Sequence, residues 1–411
     1  MQNTEFYHSL LHLTPDWTVA RVETHHDVRV IDVYLEYTPS DAPSPDGMHR
    51  CPIYDHRKER RWRHLDTMQY KTYLHARVPR IRLSTGEVVT IPVPWSEPHS
   101  HHSVLFEAFA IELLLATKNQ TQSARLLRIT FDQLHRIMTR AVARGEARRQ
   151  ETLATEAPAT RISIDEKCYQ RGYRYLTIVS NAETAQVLGV TEGHALIDAK
   201  EALADAIPVA HRSRIQAVAM DMSDTYRRAA EAIFPQAQIV HDKFHLFQYL
   251  TRVIDSVRRN EVRTQPLLRH TRPLWLKNSE RRSISDKRVF EAVSTVTLQT
   301  AQAWRVRENF KEMYARCSSV DEAIHYFYQW KDHALRTMIR PLQPIVRQFE
   351  THIHGIVCYF RYPITNARAE QLNSKISLLN RIAKGFRRAR NIRTAILFFF
   401  GNLNLLPQTS V

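Results

Sequence analysis

The chain has 411 residues, 43% of them hydrophobic and 24% charged, a composition that excludes a disordered protein and predicts about two to three folded domains. Lys and Arg number 58 against 42 Asp and Glu, a net charge of +16 that favours a polyanionic partner, although solubility or attraction to an anionic membrane surface would also account for it. No apolar run approaches the roughly 18 residues of a membrane span, no signal-peptide pattern opens the chain, and the four cysteines stand far apart, which predicts a reducing cytosol.

The first 48 residues contain one strong strand pattern. Apolar residues occupy both alternating faces of residues 28–37, which predicts a strand that is buried on both sides. Residues 38–48 combine three prolines and a glycine with Ser and Asp, so we expect a loop there.

A basic block follows at residues 51–82, where nine Lys or Arg stand against three acids, a surplus of six. The run HRKERRWRH places a tryptophan among arginines, a composition suited to binding a phosphate backbone with the ring stacked on it or packed beside it. The alternative is a solvated basic face with one half-buried tryptophan. The predicted DNA contacts of the block are Arg57, Lys58, Arg60, Arg61, Trp62 and Arg63.

A cysteine at the start of this block raises the question of a zinc site. Structural zinc needs four ligands, usually from two C-x-x-C pairs. Here Tyr54 stands where the partner of Cys51 would be, and no other pair follows. The only compensating cluster comprises His99, His101 and His102. We therefore expect Cys51 to be an ordinary buried residue and zinc not to bind.

Residues 105–118 have an apolar helical pattern, and Asn119 is a candidate cap for the next helix. The following segment predicts two short amphipathic helices separated by Arg128, Ile129 and Thr130, with Gly145 as the stop of the second helix. This order fits a DNA-binding helix-turn-helix, although any three-helix packing domain has the same pattern. The predicted DNA contacts on the second helix are His135, Arg136 and Arg140.

A polar linker at residues 150–159 is predicted to lead into a central α/β domain. Three β-branched segments follow, RISIDEK, YRYLTIVSN and AQVLGV, and then helical runs alternate with the strand patterns IQAVAMDM and AQIVHDKFH. Asp165 closes the first predicted strand and Asp221 closes the fourth. In open α/β sheets, ligands bind at the edge formed by the carboxyl ends of the strands. The pattern predicts an RNase H-like fold in which both aspartates hold catalytic metal ions.

Helices are predicted at about 197–207, 224–234 and 243–259. From there to about residue 350 the chain has helical periods and no strand pattern, with Trp275, Trp304 and Trp330 as core candidates. We expect this region to be a helical insertion that separates the two aspartates from the group that completes the site.

The completing group is predicted to be a third acid. Pro363 breaks the preceding helix, and Thr365 or Asn366 is predicted to cap a new one. Glu370 then falls in the first turn or just beyond it, with Asn373 three residues further on the same face. An acid at this position also complements the helix macrodipole, and for Glu370 taken alone that explanation is the stronger one.

Residues 375–393 carry seven basic residues and no acid. On a helix they would form a basic strip beside the proposed site, where a DNA strand would lie. The predicted contacts are Lys375, Lys384, Arg387 and Arg388.

Five motifs occur in the order ISIDEK, AVAMDM, IVHDKFH, ITNARAEQLNSKI and KGFRRARN. Together they resemble the transposases of the ISL3 group of bacterial insertion sequences. Those enzymes are similar to retroviral integrases in using two aspartates and a glutamate on an RNase H-like core, with a helical insertion before the glutamate. Carried over by motif, the catalytic and metal-binding triad is Asp165, Asp221 and Glu370, at intervals of 56 (221 minus 165) and 149 (370 minus 221) residues.

The resemblance implies a DNA transposase that binds terminal inverted repeats, cuts the element ends and joins them to target DNA. Hard carboxylate oxygens favour Mg2+, with Mn2+ as a substitute. Two ions about 4 Å apart would serve the attacking and the leaving oxygen of an in-line displacement. Asp242, His245 and Asn373 are candidates for supporting contacts around the metals. Asp242 and His245 would equally well cap and pack the following helix.

The match has departures. The family opens with a cysteine-rich zinc-binding segment, whereas here Cys51 remains while Tyr54, Leu83 and Gly86 stand where further cysteines are expected. Cutting of paired ends implies a homodimer on DNA, in the bacterial cytoplasm and associated with the nucleoid when bound. The alternatives are a DNA-binding regulator, derived from a transposase, that keeps the fold without the chemistry, and a structure-selective nuclease without strand transfer.

The predicted fold class is α/β, an RNase H-like catalytic core with a large helical insertion, preceded by a β-containing basic domain and a helix-turn-helix. The predicted parts are a β-rich basic region at 1–100, a helix-turn-helix domain at 101–150, the first part of the core at 151–260, the helical insertion at 261–350, and the final core helices with a basic tail at 351–411.

Overall fold

The structure is a computed structural model of the chain, and it describes residues 3–11, 13–153, 159–170, 172, 174–277, 283–294, 298–364 and 367–408. The chain divides into two compact units. The N-terminal unit comprises Met1–Ala154 with Leu403–Val411, and the C-terminal unit comprises Thr155–Asn402. In the ranges described here, none of the helices has the length and hydropathy of a membrane-spanning segment.

The described residues of the first part of the N-terminal unit form one helix and eight strands. They are α1 (Asn3–Leu10), β1 (Trp17–His25), β2 (Val30–Tyr37), β3 (Asp41–Pro43), β4 (Arg50–His56), β5 (Arg60–Arg63), β6 (Lys71–Ala76), β7 (Pro79–Arg82) and β8 (Val88–Thr90). The strands form two four-stranded sheets, in the orders β1-β2-β6-β5 and β3-β4-β7-β8. Alternate side chains of β2, including Val33 and Leu35, pack in an apolar core with Trp17 and Trp95.

The strand predicted at residues 28–37 is confirmed as β2, but the expected burial on both sides is wrong in part, because one face is buried and the other is only partly buried. The loop predicted at 38–48 is wrong in part, because β3 forms within it and pairs with β4. Pro43 is tolerated there because it ends the short strand, where the missing backbone donor matters least.

Three helices complete the N-terminal unit, α2 (Val104–Thr117), α3 (Gln120–Leu126) and α4 (Phe131–Thr152). The predicted cap Asn119 is confirmed, since its side chain accepts a hydrogen bond from the Gln122 backbone N–H. Thr130 and Gln133 form a reciprocal capping box at the start of α4. The turn between α3 and α4 contains Arg128 in the left-handed region at φ 56°. The predicted helix, turn and second helix are therefore present.

The predicted stop at Gly145 is wrong, because α4 continues to Thr152. A Cβ atom at residue 145 would lie 2.6 Å from the Cβ of Leu403. The glycine therefore permits the C-terminal segment to approach the helix closely, a packing role that the sequence pattern does not distinguish from a helix stop.

The described residues of the C-terminal unit form a five-stranded sheet, with two helices between its strands and a third after the last strand. In chain order the elements are β9 (Arg161–Gln170), β10 (Arg174–Asn181), β11 (Val187–Glu192), α5 (Leu196–Ala206), β12 (Ala217–Met220), α6 (Asp224–Ile233), β13 (Gln238–His241) and α7 (Lys243–Glu261). The strand order is β11-β10-β9-β12-β13. Strands β9, β10 and β11 are antiparallel neighbours, while β12 is parallel to both β9 and β13. The predicted change from antiparallel pairing to βα units is confirmed.

In the described residues, seven further α-helices follow α7 before the last α-helix. They are α8 (Arg272–Leu276), α9 (Ile284–Ser294), α10 (Gln299–Arg316), α11 (Val320–Arg336), α12 (Gln343–Thr351), α13 (Ile353–Val357) and α14 (Ala367–Ile382). Helices α8 to α13 share an apolar core with α7, in which Trp275 and Trp330 are buried and Trp304 is partly buried. The described residues between α7 and α14 contain no strand, as the periodicity predicted.

The last helix is α15 (Ala389–Phe400), and a turn separates it from α14. The basic strip expected if residues 375–393 formed one helix is therefore interrupted, since Lys384, Arg387 and Arg388 lie in that turn and, of the four predicted contacts, Lys375 alone lies on α14. Gly385, at φ 93°, allows the chain to turn there. The predicted cap residues Thr365 and Asn366 lie outside the described residues.

Candidate active site

The register of the C-terminal sheet aligns three aspartates. Ser163 pairs with Ala219 across β9 and β12, so residues 165 and 221, each two positions further, continue side by side. Met220 pairs with His241 across β12 and β13, so Asp242 stands beside Asp221 at the next position. Parallel strands place their carboxyl ends at one edge, and these acids therefore meet at the same level.

Asp165 does not close its strand as predicted, because β9 continues to Gln170. The continuation pairs with β10, in which Ile178 stands opposite Asp165. Asp165 therefore lies in the middle of β9. On one edge of β9 the antiparallel strand β10 continues past this position, and on the other edge the shorter parallel strand β12 ends before it. A β-hairpin of this length could not be inferred from an acidic residue inside an apolar run.

The glutamate approaches from a different element. Glu370 lies in the first turn of α14, as predicted, and Asn373 lies three residues further along this helix. The Asn373 side-chain amide donates a hydrogen bond of 2.6 Å to Oδ2 of Asp165. Because residues three apart lie on one helix face, this hydrogen bond turns the face that carries Glu370 toward the sheet.

The three acids are electrostatically coupled. Burial raises the pKa of Asp165, and the neighbouring Glu166 carboxylate raises it further. Burial also raises the pKa of Asp221, with Asp165 and Asp242 adding to the effect. For Glu370, burial and then the charges of Asp242 and Asp165 raise the carboxyl pKa. Such mutual destabilisation of charge is what a bound cation relieves.

His245 is the counter-charge in this group. A charge on its imidazole lowers the pKa of each of the three acids Asp165, Asp221 and Glu370. Its Nε2 lies 3.8 Å from Oδ2 of Asp242. Asp242 also caps α7, because its Oδ1 accepts a hydrogen bond from the Phe244 backbone N–H. The capping role considered for Asp242 is therefore present, together with a position beside the acids.

Two of the acids carry unpartnered oxygens of the kind that hard divalent cations prefer. Oδ1 of Asp221 and Oε1 of Glu370 are buried and lack a hydrogen-bond partner among the described residues, and carboxylate oxygens are the ligands that Mg2+ and Mn2+ prefer. No group of three or more His, Cys, Asp or Glu side chains in the described ranges is arranged closely enough to hold a metal ion. The assignment of all three acids to shared metal ions therefore stays a prediction.

The structure corrects two predicted DNA contacts in the N-terminal unit. Trp62 is 0% exposed and packs edge-on against Trp95, so its ring cannot stack on a nucleic acid. Arg63 is 5% exposed, and its guanidinium is held by Asp66 and by the Thr72 carbonyl. Both residues lie at the end of β5, where two consecutive positions are buried, and the basic run gives no sign of this burial.

The remaining predicted contacts differ in accessibility. Arg140 is engaged within the protein, since it forms an ion pair with the buried Glu107. His135 and Arg60 are partly buried. The exposed contacts are Arg57, Lys58, Arg61, Arg136, Lys375, Lys384, Arg387 and Arg388. Arg128, in the turn before α4, lines a basic cavity and was not predicted as a DNA contact, because its position between the two helices was interpreted only as a turn.

The positions proposed for missing zinc ligands carry a different interaction. Ile53 of β4 pairs with Ile81 of β7, and Cys51 and Leu83, each two positions from this pair, both pack against the apolar core. The Arg82 guanidinium lies 4.2 Å from the centre of the Tyr54 ring. Apolar packing and a cation–π contact therefore hold together the two strands that a metal would join.

Comparison with known proteins identifies three family models along the chain. A transposase model of the ISL3 type, with a DDE catalytic domain, matches residues 162–396. A helix-turn-helix domain of transposase family ISL3 matches residues 91–142, and a zinc-finger of transposases IS204, IS1001, IS1096 and IS1165 matches residues 49–82. The zinc-finger segment has one cysteine, Cys51, whereas structural zinc sites usually use two or more cysteines among their four ligands.

Curated relatives match over most of their length. The chain is 26% identical to the transposase for insertion sequence element IS1001 of Bordetella parapertussis, over 90% of this chain and 91% of the relative. It is 24% identical to the transposase for insertion sequence element IS1557 of Mycobacterium tuberculosis, over 85% of this chain and 83% of the relative. Since the catalytic-domain model alone spans more than half of the residues, the chain belongs to the ISL3 family of transposases.

Proposed function

We propose that the protein is a DDE transposase that binds the terminal inverted repeats of an insertion sequence, cuts DNA at the element ends and transfers the cut strand to target DNA. The observation that carries this proposal is the sheet register that aligns Asp165 with Asp221, together with the 2.6 Å hydrogen bond from Asn373 that joins the helix of Glu370 to Asp165. Three antiparallel strands followed by parallel βα units support an RNase H-like core.

The proposed reaction is two successive phosphoryl transfers. A water oxygen attacks the phosphorus at the element end, the bond to the 3' oxygen breaks, and this oxygen leaves with a proton as a 3' hydroxyl. The hydroxyl oxygen then attacks a phosphorus of target DNA, where one P–O bond forms, another breaks, and a target 3' hydroxyl is released. Neither step needs a covalent bond to the protein.

The chain's own residues hold and orient the reacting groups. Asp165, Asp221 and Glu370 would supply oxygen ligands to divalent cations, Mg2+ or Mn2+ in its place. When bound, these cations neutralise the charge that develops on the attacking and leaving oxygens. Asn373 fixes the orientation of Asp165, and His245 offsets part of the negative charge. Each protomer has one such site, so cutting two ends needs a homodimer on DNA, which the mass of the protein–DNA complex tests.

Substitution of the acids tests the proposal. Asp165→Asn, Asp221→Asn and Glu370→Gln should each lower the rate of end cleavage by about a thousandfold or more, because an amide cannot replace a carboxylate ligand. Binding to a terminal-repeat duplex should persist. The measurement is release of a labelled strand from that duplex in Mg2+ or Mn2+, with binding followed by fluorescence anisotropy.

Asp224→Asn is the matched control, since Asp224 lies three residues after Asp221 but is exposed and paired with Arg227 at 2.7 Å. This variant should cleave at the wild-type rate. Undiminished cleavage by any triad variant would refute the triad. Wild-type protein that binds the repeats but never nicks them is the regulator described above, and nicking without joining of a pre-cut 3' end is the nuclease.

A further inference from the structure

A basic cavity of about 490 Å3 lies within the N-terminal unit, between β5 and the start of α4. Three arginines of β5 line one side, and Arg128 from the turn before α4 lines the other. The lining arginines of β5 are Arg60, Arg61 and Arg63. The cavity therefore joins the segment that matches the zinc-finger model to the one that matches the helix-turn-helix model.

Backbone contacts fix these two segments to each other. The Arg63 N–H donates to the His101 carbonyl at 2.9 Å, and the Ser103 N–H donates to the Arg63 carbonyl at 2.9 Å. The Ser103 side chain in turn caps α2 and lies 2.8 Å from Nδ1 of His64. Such pairing preorganises the two walls of the cavity, so little order has to be gained on binding.

Two of the arginines are held in place by one acid. Asp66 forms ion pairs with both Arg63 and Arg128. Arg128 also donates to the Gln69 carbonyl at 2.9 Å. One carboxylate cannot neutralise two guanidinium groups. Counting Glu59, which also lines the cavity, four arginines stand against two acids, a surplus of two positive charges (4 minus 2).

Arg61 has no acidic partner among the described residues. Its guanidinium lies over the ring of Tyr73, 4.3 Å from the centre, and its side chain is exposed at the mouth of the cavity. The aromatic ring orients the cation without neutralising it. This leaves its N–H donors available to an anion.

The positive charges that line the cavity repel one another, and a bound anion would relieve this repulsion. Burial and the nearby charge of Arg63 lower the pKa of the Arg128 guanidinium, and burial lowers that of Arg63. A smaller cavity, which shares His102 and Gln133 with the first, extends along α4 to the exposed Arg136. The N-terminus of this 22-residue helix adds partial positive charge at the same place.

We infer that this cavity binds a backbone phosphate of the DNA that α4 contacts, with Arg61 as the direct donor and with Arg63 and Arg128, fixed by Asp66, as the cationic wall. The inference rests on the proposed DNA-binding function and specifies one of its contacts. A phosphate contact carries no sequence information, so it sets the position and affinity of the helix-turn-helix on the duplex. The segments that match the zinc-finger and helix-turn-helix models then contact the same DNA strand through one continuous surface.

The test compares Arg61→Gln with a matched control, Arg82→Gln. Arg82 also lies over a tyrosine ring, at 4.2 Å, is exposed and has no acidic partner among the described residues, but it lies outside the cavity. Dissociation constants of the full chain are measured on a terminal-repeat duplex and on an unrelated duplex of equal length, from 50 to 200 mM salt. Thermal unfolding checks that both variants fold.

Arg61→Gln should weaken binding to both duplexes by about tenfold and reduce the slope of log K against log salt by about 0.9, the value for one lost phosphate contact. Arg82→Gln should change neither quantity. An unchanged slope for Arg61→Gln, an equal change in both variants, or a loss confined to the terminal repeat would overturn the inference. Wild-type cleavage of the element ends in the same preparation shows whether the proposed function stands independently.

Discussion

Asn373 is the residue on which the position of the third acid depends. Its amide donates to Asp165 at 2.6 Å, and Glu370 lies one helical turn before it on α14. The hydrogen bond joins an element at the end of the chain to the first strand of the sheet, 208 positions earlier. Asn373 acts through Asp165 and is therefore a positioning residue.

Asn373→Ala should lower the cleavage rate by about 10- to 100-fold and raise the metal concentration needed for half-maximal rate, because Asp165 and the helix of Glu370 lose their common restraint. Cleavage rates across a Mn2+ titration measure both effects. Asn373→Asp should be more damaging, since it places a second carboxylate against Asp165. Ser374→Ala, at the exposed neighbouring position, is the control. A wild-type metal titration for Asn373→Ala would exclude the positioning role.

At the residue scale, the sequence indicated which residues are candidates for the site, but it did not predict which side chains are buried or paired internally. The five motifs singled out Asp165, Asp221 and Glu370 as candidates, and the spacing of Glu370 and Asn373 predicted a shared helix face. The burial of Trp62 was not predictable, because a basic run around a tryptophan is compatible with either face of a short strand. Which basic residues pair internally depends on acids such as Glu107 and Asp66, which lie elsewhere in the sequence.

At the element scale, strands and helices with a clear period were predictable and their ends were not. The helix-turn-helix followed from its caps and its 3.6-residue period. Gly145 and Asp165 gave wrong boundaries for a common reason. A glycine inside a helix and an acid inside a strand both resemble stop signals, whereas here Gly145 permits close packing against Leu403 and Asp165 faces the other acids.

The antiparallel strand pair β4 and β7 leads to a prediction about zinc. Because Cys51 and Leu83 pack on the apolar core and Arg82 covers Tyr54, we expect the N-terminal unit to fold without zinc. The purified chain should contain no stoichiometric zinc, and o-phenanthroline should leave its melting temperature unchanged. Cys51→Ser should cost about 1 kcal/mol of unfolding free energy, as for a small packing change.

A structural zinc site would give different results. Loss of a cysteine ligand would unfold the strand pair, since the free energy of metal binding is then folding free energy. Zinc content by atomic absorption and urea unfolding of the Cys51→Ser variant distinguish the two. Leu83→Ala is the comparison, because it removes apolar contact from the same strand pair and should cost at least as much as Cys51→Ser. One equivalent of tightly bound zinc in wild-type protein would contradict the prediction.

At the scale of the whole molecule, the distance in sequence between the acids explains what could not be predicted. The third acid follows the second by 149 residues, and most of that interval is helical. Local patterns predict each helix but not which helix face meets the sheet, because that depends on long-range packing. The net charge of +16 predicted an anionic partner without locating the cavity that is lined by four arginines.

Acid conditions should destabilise the chain through its buried histidines. Burial, with the charge of Arg63, lowers the pKa of His64 to about 4. Burial, with the charges of Arg140, His101 and other neighbouring cations, lowers that of His102 to about 4. In the unfolded chain both would titrate near 6.5, so between pH 6.5 and 4 the unfolded state binds more protons. The stability that these residues contribute is complete above pH 6.5 and is lost as the pH falls toward 4.

His64→Gln isolates one of these contributions. Between pH 7 and 4.5 the unfolding free energy of wild-type protein should fall by about 2 to 3 kcal/mol more than that of the variant. The reason is that only the wild-type chain has an imidazole at position 64, which takes up a proton when the chain unfolds. Urea unfolding followed by tryptophan fluorescence at several pH values gives both curves. His56→Gln, at an exposed position of the same unit, should run parallel to wild type. Parallel curves for His64→Gln and wild type would contradict the prediction, because they would mean that the folded protein protonates His64 as readily as the unfolded chain does. The buried imidazole beside Ser103 would then carry a positive charge in a chain whose net charge is already +16.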